Sequence, residues 1–498
     1  MNKKILALYD FASKQEFIYR TSKIKEISGA SAMLSGIYKK FVKILKSNGI
    51  TIKYDIDMYV ENGKIVEVNP FDINDFETNN EIDGEVLYDG GGNLMVLYKS
   101  KDKYIESNKL ISVWLLKNCP TLSMISSCVC CSDYVTIRED GMKFENFKDA
   151  RKALYAENTR RKNYYPASDM PAVTPVSQID PQTFLPVVHK DSVKQLSLSA
   201  DRAKKQETFE RCKKENKFDG NNLDELEGMV AVIYIDGNSM GEKLKQCEAD
   251  SYNEGVRKLR SFSFQVNNCF VNQPLAAIES KLKGKGYRRV IGGGDEITII
   301  CEAKLAWKVV CEYFEVFKKT KIVIEENKEF INSSCAGIAI FHAKSPFNVA
   351  YEIAEAACES AKTLAHKNNG GNYIDFYYCH SGITKSFEEL RKIEQSHTTG
   401  RPYNFEMVRE EFENYAPLLR DAGRANVKAL GNAAQEGKER YRLEVRRVNA
   451  YLLKNQTKEA PNGIKTEFLE NDVEEMKLIY DMSEFYDLWF DKSENEAG

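Results

Sequence analysis

The chain has 498 residues, of which 71 are Lys or Arg and 74 are Asp or Glu, giving a formal net charge of -3 with 42% hydrophobic and 29% charged residues. At roughly 100 to 200 residues per domain this length implies two to four domains, and the composition excludes a fibrous or membrane-embedded protein. A near-neutral balance supplies no global basic field, so any nucleic-acid site has to be local.

The opening MNKKILALYDF has an apolar run broken by Asp10, which excludes a signal peptide, and no stretch reaches the ~18 apolar residues of a membrane span. A cytoplasmic location is expected. ILALYD predicts a short buried strand, and Phe17, Ile18, Ile24, Ile27, Leu34, Ile37 and Phe41 recur at helical spacing over residues 13–47. After a polar stretch at 61–83, EVLYDGGGNLMVLYKS predicts two strands pinched around Gly90, Gly91, Gly92 and Asn93. A helix over 101–118 and strands near 121–138 complete a first module, residues 1–154.

Residues 155–226 read as a connector, with five of the twelve prolines and a densely charged run from Asp201 to Lys217. From Gly228 the first pattern returns. GMVAVIYID predicts a strand ending at Asp236, residues 239–284 are mainly helical, and YRRVIGGGDEITIICE predicts two strands around a glycine turn. A helix, the strand CAGIAIF, a helix opened by Pro346 and the strand NYIDFYY follow, closing a second module over 227–383. The order β-α-β-β-α-β with a terminal strand is the split βαβ arrangement, so the fold class is α+β with two ferredoxin-like domains. Residues 384–498 predict helices only, a C-terminal helical domain.

The same module thus occurs twice. Laying ILALYD on AVIYID and YDGGGNLMVLY on VIGGGDEITII sets Asp10 on Asp236, Asn93 on Asp295 and Leu94 on Glu296. The second hairpin keeps its carboxylates and the first has lost them.

Asp236 ends a strand buried on both faces, and an anion there needs a cation. The turn Gly292-Gly293-Gly294 admits positive φ and close approach of a phosphate, and Asp295 and Glu296 follow it. Three converging carboxylates with substrate phosphates suit Mg²⁺ or Mn²⁺. Two such ions about 4 Å apart support in-line nucleotidyl transfer with pyrophosphate leaving. The competing reading is a plain hairpin with solvated charges.

These residues resemble palm-type nucleotide cyclases and polymerases, and specifically the large, polymerase-like subunit of type III CRISPR effector complexes and its stand-alone relatives. GGGDE at 292–296 is similar to that family's GGDD element and to the GGDEF element of diguanylate cyclases. YDFASKQEFIYRTSKIKEISGASAMLSG resembles the opening of the first palm, IYIDGNSMGEKL the opening of the second, and SSCAGIAIFHAKSPF with ESAKTLAH its later strand and helix. The segment from RPYNFEMVREEF onward is similar as well.

The resemblance implies a degenerate first palm and an active second one. It implies Asp236, Asp295 and Glu296 as catalytic, metal-binding carboxylates, and Gly237, Asn238, Gly293, Gly294, Lys362 and Ser31 as nucleotide contacts. For Lys362 a solvated helix lysine is the alternative, and for Ser31 a small residue packing helix on sheet. The implied activity is conversion of ATP into a cyclic nucleotide or cyclic oligonucleotide signal for antiviral defence, with ATP, other effector subunits and guide or target RNA as partners.

Larger members carry a nuclease domain with a His-Asp pair; none of His189, His342, His366, His380 or His397 is followed by Asp, so no DNA nuclease activity is expected. A zinc ribbon between the palms is half present, in Cys128 and Cys131 with Cys119 as a third ligand, whereas a closed zinc site takes four. Reduced structural cysteines are the alternative. Two other functions stay open at this point: a diguanylate-cyclase-like enzyme, and an RNA-binding scaffold using the basic segments 160–162, 204–217 and 438–447.

Overall fold

The computed structural model describes residues 4–489 except 13, 20, 22, 62–63, 120, 132–134, 138–142, 165–177, 180–185, 188–197, 216–227, 284–285, 326–327, 380–385, 394–397 and 456–464. His189, His380, His397 and Lys217, with most of the proline-rich stretch, lie outside the described residues.

The first palm is built from β1 (Ile5–Ala12), α1 (Lys14–Tyr19), α2 (Ile24–Leu34), α3 (Ile37–Ser47), β2 (Ile52–Lys53), β3 (Gly84–Gly90), β4 (Asn93–Tyr98), α4 (Lys101–Asn118), β5 (Ser123–Cys130) and α5 (Phe147–Tyr164). Its sheet runs β2-β3-β4-β1-β5. After α6 (Leu198–Lys214) the second palm follows: β6 (Met229–Gly237), α7 (Tyr252–Asn267), α8 (Gln273–Leu282), β7 (Tyr287–Gly293), β8 (Glu296–Glu302), α9 (Ala306–Phe317), β9 (Ser334–His342), α10 (Phe347–Lys367), β10 (Tyr373–Tyr378) and β11 (Tyr403–Asn404). Its sheet runs β7-β8-β6-β9-β10-β11. The quartets β3-β4-β1-β5 and β7-β8-β6-β9 have the same order, so both palms have the split βαβ core that the doubled sequence pattern predicts.

Strand alternation explains how the palms meet. On β6, Ala231, Ile233 and Ile235 enter the core shared with the C-terminal helices, while Val230, Val232 and Tyr234 enter a second core together with Tyr9, Ile27 and Phe41 of the first palm. The palms therefore share one apolar interior. Tyr19 of α1 stacks on Tyr351 of α10 across this contact.

Two parts of the predicted connector are not linker-like. Helix α5 runs unbroken through residue 154, and its Ala150 and Leu154 pack with Leu6 and Leu8 of β1. The charged run forms α6, which lies along α2. Arg202 donates from Nε and Nη2 to the two carboxylate oxygens of Glu26, each at 2.9 Å, and the buried Lys205 donates to the Phe17 carbonyl at 2.8 Å. Asp201, Arg202 and Lys205 are thus spent inside the molecule, whereas Glu207, Glu210, Arg211, Lys213 and Lys214 face solvent.

The C-terminal region is helical as expected, with α11 (Phe405–Glu436), α12 (Lys438–Asn455) and α13 (Val473–Trp489). It docks on the second palm through Phe376 against Phe485 and through Arg401 and Asp481, which are fully buried.

Candidate active site

Each palm contributes a glycine hairpin, and the strand register decides which residues correspond. In the second palm Gly293 pairs with Glu296, leaving Gly294 (φ +66°) and Asp295 as a two-residue turn. In the first, Gly90 pairs with Asn93, leaving Gly91 (φ +57°) and Gly92 (φ +75°). Both hairpins carry a bulge at the same place, at Leu87 between Val86 and Tyr88 and at Val290 between Arg289 and Ile291.

The pairing to the first strand agrees, with Tyr9 opposite Leu94 and Asp10 opposite Asn93, against Ile235 opposite Ile297. Gly92 therefore occupies the place of Asp295, and Asn93 the place of Glu296. The sequence superposition, which put Asn93 on Asp295 and Leu94 on Glu296, is one residue out. Matching the three glycines of each hairpin one to one gives the wrong register, and only the ladder fixes it.

Between the two turns lies a cleft of about 660 Å³. Asp236, Asp295, Glu296, Gly293, Gly294 and Ser31 all line it, facing Gly91, Gly92 and Lys14 of the first palm. The remaining expected contacts sit behind this surface. Gly237 lies under Asp295, where a Cβ would come within 2.9 Å of the Asp295 Cβ. Asn238 is buried and donates to the Gly371 carbonyl at 3.1 Å. Lys362 of α10 pairs with Asp236 Oδ2 at 2.5 Å and with Glu359 at 3.1 Å, so it is neither solvated nor on the cleft wall.

Two of the carboxylates are raised above their ordinary values. Burial and then the Asp236 charge push Asp295 up to about 6; burial, Asp236 and Asp295 push Glu296 up to about 7. Among the described residues Glu296 Oε1 is buried without a hydrogen-bond partner, and so is the ammonium of Lys243, which feels the charge of Asp295. Burial lowers the Lys243 pKa.

Among the described residues no three His, Cys, Asp or Glu side chains are arranged to hold one metal ion. The expected three-carboxylate ligand set is therefore not assembled. Asp295 sits in the turn, whereas Glu296 opens β8 on the face where Tyr19 and Tyr351 feel its charge. Asp236 and Asp295 still fit Mg²⁺ or Mn²⁺, which take one or two carboxylates and complete the coordination with phosphates and water.

The cysteines expected for zinc are separated as well. Cys119 packs in the core between the palms and Cys131 in the core under α5, because Cys128 and Cys131 fall on opposite faces of β5 and its extension.

In the first palm Asp10 is buried and crowded with donors. Lys162 meets its Oδ2 at 2.5 Å, Asn158 donates to Oδ2 at 3.0 Å, Lys14 lies 3.4 Å from Oδ1, and the Asn93 amide, nitrogen inward, reaches both oxygens at 3.0 and 3.1 Å. Burial works to raise the Asp10 pKa, but these donors outweigh it and hold it below the ordinary value. Lys14, Lys162 and Lys243 escaped the sequence reading. The i,i+4 spacing of Asp10 and Lys14 was a visible signal; Lys162 lay in a basic run that reads as solvated.

Residues 229–370 match the family described as Cas10/Cmr2, second palm domain. No curated protein matches the chain. Among solved structures the chain is similar to a Csm1-Csm4 cassette in complex with pppApA, at 14% identity over 97% of this chain and 69% of that chain with a TM-score of 0.52. It is similar to the cassette in complex with pppApApA and to that with one ATP, each at 15% identity over 97% of this chain and 69% of the other, with TM-scores of 0.52 and 0.51. Residues 229–370 thus carry a Cas10/Cmr2 second palm domain, and the chain as a whole has the fold of the chain it matches in those cassettes.

Proposed function

We propose that this protein is a nucleotidyltransferase of a type III CRISPR effector complex that converts ATP into a cyclic oligonucleotide signal. One observation carries the reading: two glycine turns from two palms meet across a single cleft, and only one of them brings mutually repelling carboxylates. The Csm1-Csm4 cassettes of the same fold hold ATP and linear adenylates, which supports ATP as substrate and a second subunit as partner.

Asp236 and Asp295 would hold Mg²⁺ or Mn²⁺, and the bound ions supply activation of the attacking 3′-hydroxyl and charge neutralisation on the leaving pyrophosphate. Lys362 keeps a positive charge on the far oxygen of Asp236 and fixes its orientation. The backbone of Gly293 and Gly294 lets a phosphate approach where a side chain would block it. Glu296, with a free buried oxygen and a pKa near neutrality, is suited to take the proton of the 3′-hydroxyl at Oε1.

In the basic segments read as RNA contacts, several arginines sit in exposed ion pairs with nearby carboxylates. Arg160 and Arg161 pair with Glu157, Arg440 with Glu436, Arg446 with Glu470 and Arg447 with Glu444.

The test is to incubate the protein, alone and with its co-purifying subunits, with each radiolabelled nucleoside triphosphate and Mg²⁺ or Mn²⁺ and to resolve the products. Conversion of ATP with pyrophosphate release, lost in Asp295→Asn, is expected. Undiminished turnover in that variant, or a preference for GTP, would remove the assignment.

A further inference from the structure

We propose that Arg260 of the second palm is a positioning residue: it clamps the bulge of the first-palm hairpin and so sets the spacing of the Gly91 turn from the Gly294 turn. Its consequence for the coupling of nucleotides rests on the cyclase reading; the clamp itself does not.

Arg260 lies on α7 and is only 3% exposed. Its Nε donates to the Leu87 carbonyl at 2.9 Å and its Nη2 to the Val86 carbonyl at 3.0 Å. Leu87 is the bulged residue of β3, so one planar guanidinium bridges the point where the ladder skips a residue. Nη1 reaches the Asn69 carbonyl at 3.4 Å, and Glu67 Oε1 stands 3.7 Å from it, answering the buried charge.

One turn further along α7, Ser263 rests against the hairpin tip, where a Cβ on Gly90 would come within 2.3 Å of its Oγ. Beneath, Leu87 packs with Tyr252, Val256 and Leu259 of α7. Apolar packing is non-directional, whereas two carbonyls taken by one rigid fork fix an orientation. The second palm thus carries Gly294 on one side of the cleft and, through α7, holds Gly91 on the other. The hold is one-sided: at the second hairpin the bulge residue Val290 lines a cavity of about 680 Å³ with Ser28 and Ser31 of α2.

Hydrogen exchange and kinetics of Arg260 variants test this. Arg260→Lys keeps the charge beside Glu67 but cannot meet both carbonyls with one planar group. Exchange in that variant should quicken in the first hairpin, residues 84–98, and stay as in wild type in the second, residues 287–302. The maximal rate of pyrophosphate release from ATP should fall about tenfold or more with KM unchanged, because the carboxylates stay in place while the facing turn drifts out of line. In Arg260→Ala, free guanidinium entering from the cleft that Arg260 lines should restore part of the rate, a response that lost packing alone would not give.

Wild-type exchange and rate in Arg260→Lys would overturn the inference. So would faster exchange throughout the chain with a proportionate loss of rate and no rescue by guanidinium, which would make Arg260 a folding contact. Exchange quickened in the first hairpin alone, in a protein whose wild type turns over no nucleoside triphosphate, would sustain the clamp while defeating the cyclase reading.

Discussion

A Cβ on Gly294 would lie 3.6 Å from the Cα of Gly91, so the turns of the two palms meet backbone to backbone at the cleft. Gly294 also has φ +66°, where an L side chain costs about 1–2 kcal/mol. Gly294→Val is therefore expected to lower stability by that order and turnover by far more, since its branches fill the approach between the turns. Urea unfolding and pyrophosphate release measure the two effects separately. Loss of both in proportion would show that the turn matters for folding alone.

The paired carboxylates predict a pH dependence. Asp295 at about 6 and Glu296 at about 7 lie above their ordinary values, so the folded protein holds these protons to higher pH than the unfolded chain does. Stability is then fully present at acid pH and is lost as pH rises from about 4 through about 7. Thermal melting in EDTA should fall across this window, with a shallower fall in Glu296→Gln and in Asp295→Asn. Mg²⁺ should recover stability at pH 7.5 more than at pH 5.5, because protons compete for the same oxygens (test conditions about these values). An identical slope in wild type and both variants would contradict the raised values.

The register of the first hairpin makes a third prediction and shows where sequence reading ran out. The doubled strand-helix pattern was legible because the first strand of each palm is buried on both faces and reads as a short unbroken apolar run, and Asp236, Asp295 and Glu296 stood out as carboxylates at the ends of apolar strands. The alignment of the two copies was not legible to one residue, because glycines carry no side chain to distinguish Gly90 from Gly91. Asn93→Asp with Leu94→Glu, the pair suggested by sequence, would bury a carboxylate at Leu94, which is 2% exposed. It should cost on the order of several kcal/mol and create no activity. Gly92→Asp with Asn93→Glu, the pair the ladder indicates, meets Lys14 and a φ of +75° and should be inactive too. A second active centre in either variant of an Asp295→Asn background would show that the first palm needs only its ligands.

Sequence also gave no hint of the tie between Arg401 and Asp481, residues 80 positions apart that are both fully buried, with Nε and Oδ1 at 2.9 Å. Thr399, the Gly400 amide and Tyr403 donate to the same carboxylate at 2.8, 3.0 and 2.6 Å. Asp481→Ala strands the guanidinium and three donors and should cost about 3–5 kcal/mol, whereas an exposed acid such as Glu439→Ala should cost under about 0.5 kcal/mol. Equal urea midpoints would mean that α13 is docked by its apolar face alone.

The product follows from having two turns on one cleft. Cyclising a single nucleotide requires only that its own 3′-hydroxyl reach its α-phosphorus, for which one palm suffices. Joining two requires an acceptor hydroxyl held about 3–3.5 Å from the donor α-phosphorus and in line with the leaving group. The first palm can seat such an acceptor, because Gly91 and Gly92 admit its phosphates and Lys14 offers them a charge, but it cannot activate a second donor without carboxylates at 92 and 93. Expected products are therefore 3′-5′ linked adenylates that grow as linear 5′-triphosphates and close in a last step. Mass spectrometry of a time course should show linear species before cyclic ones, and Lys14→Met should slow formation of the first dinucleotide. Only mononucleotide 3′,5′-cyclic product at every time point would mean that the second turn holds no acceptor.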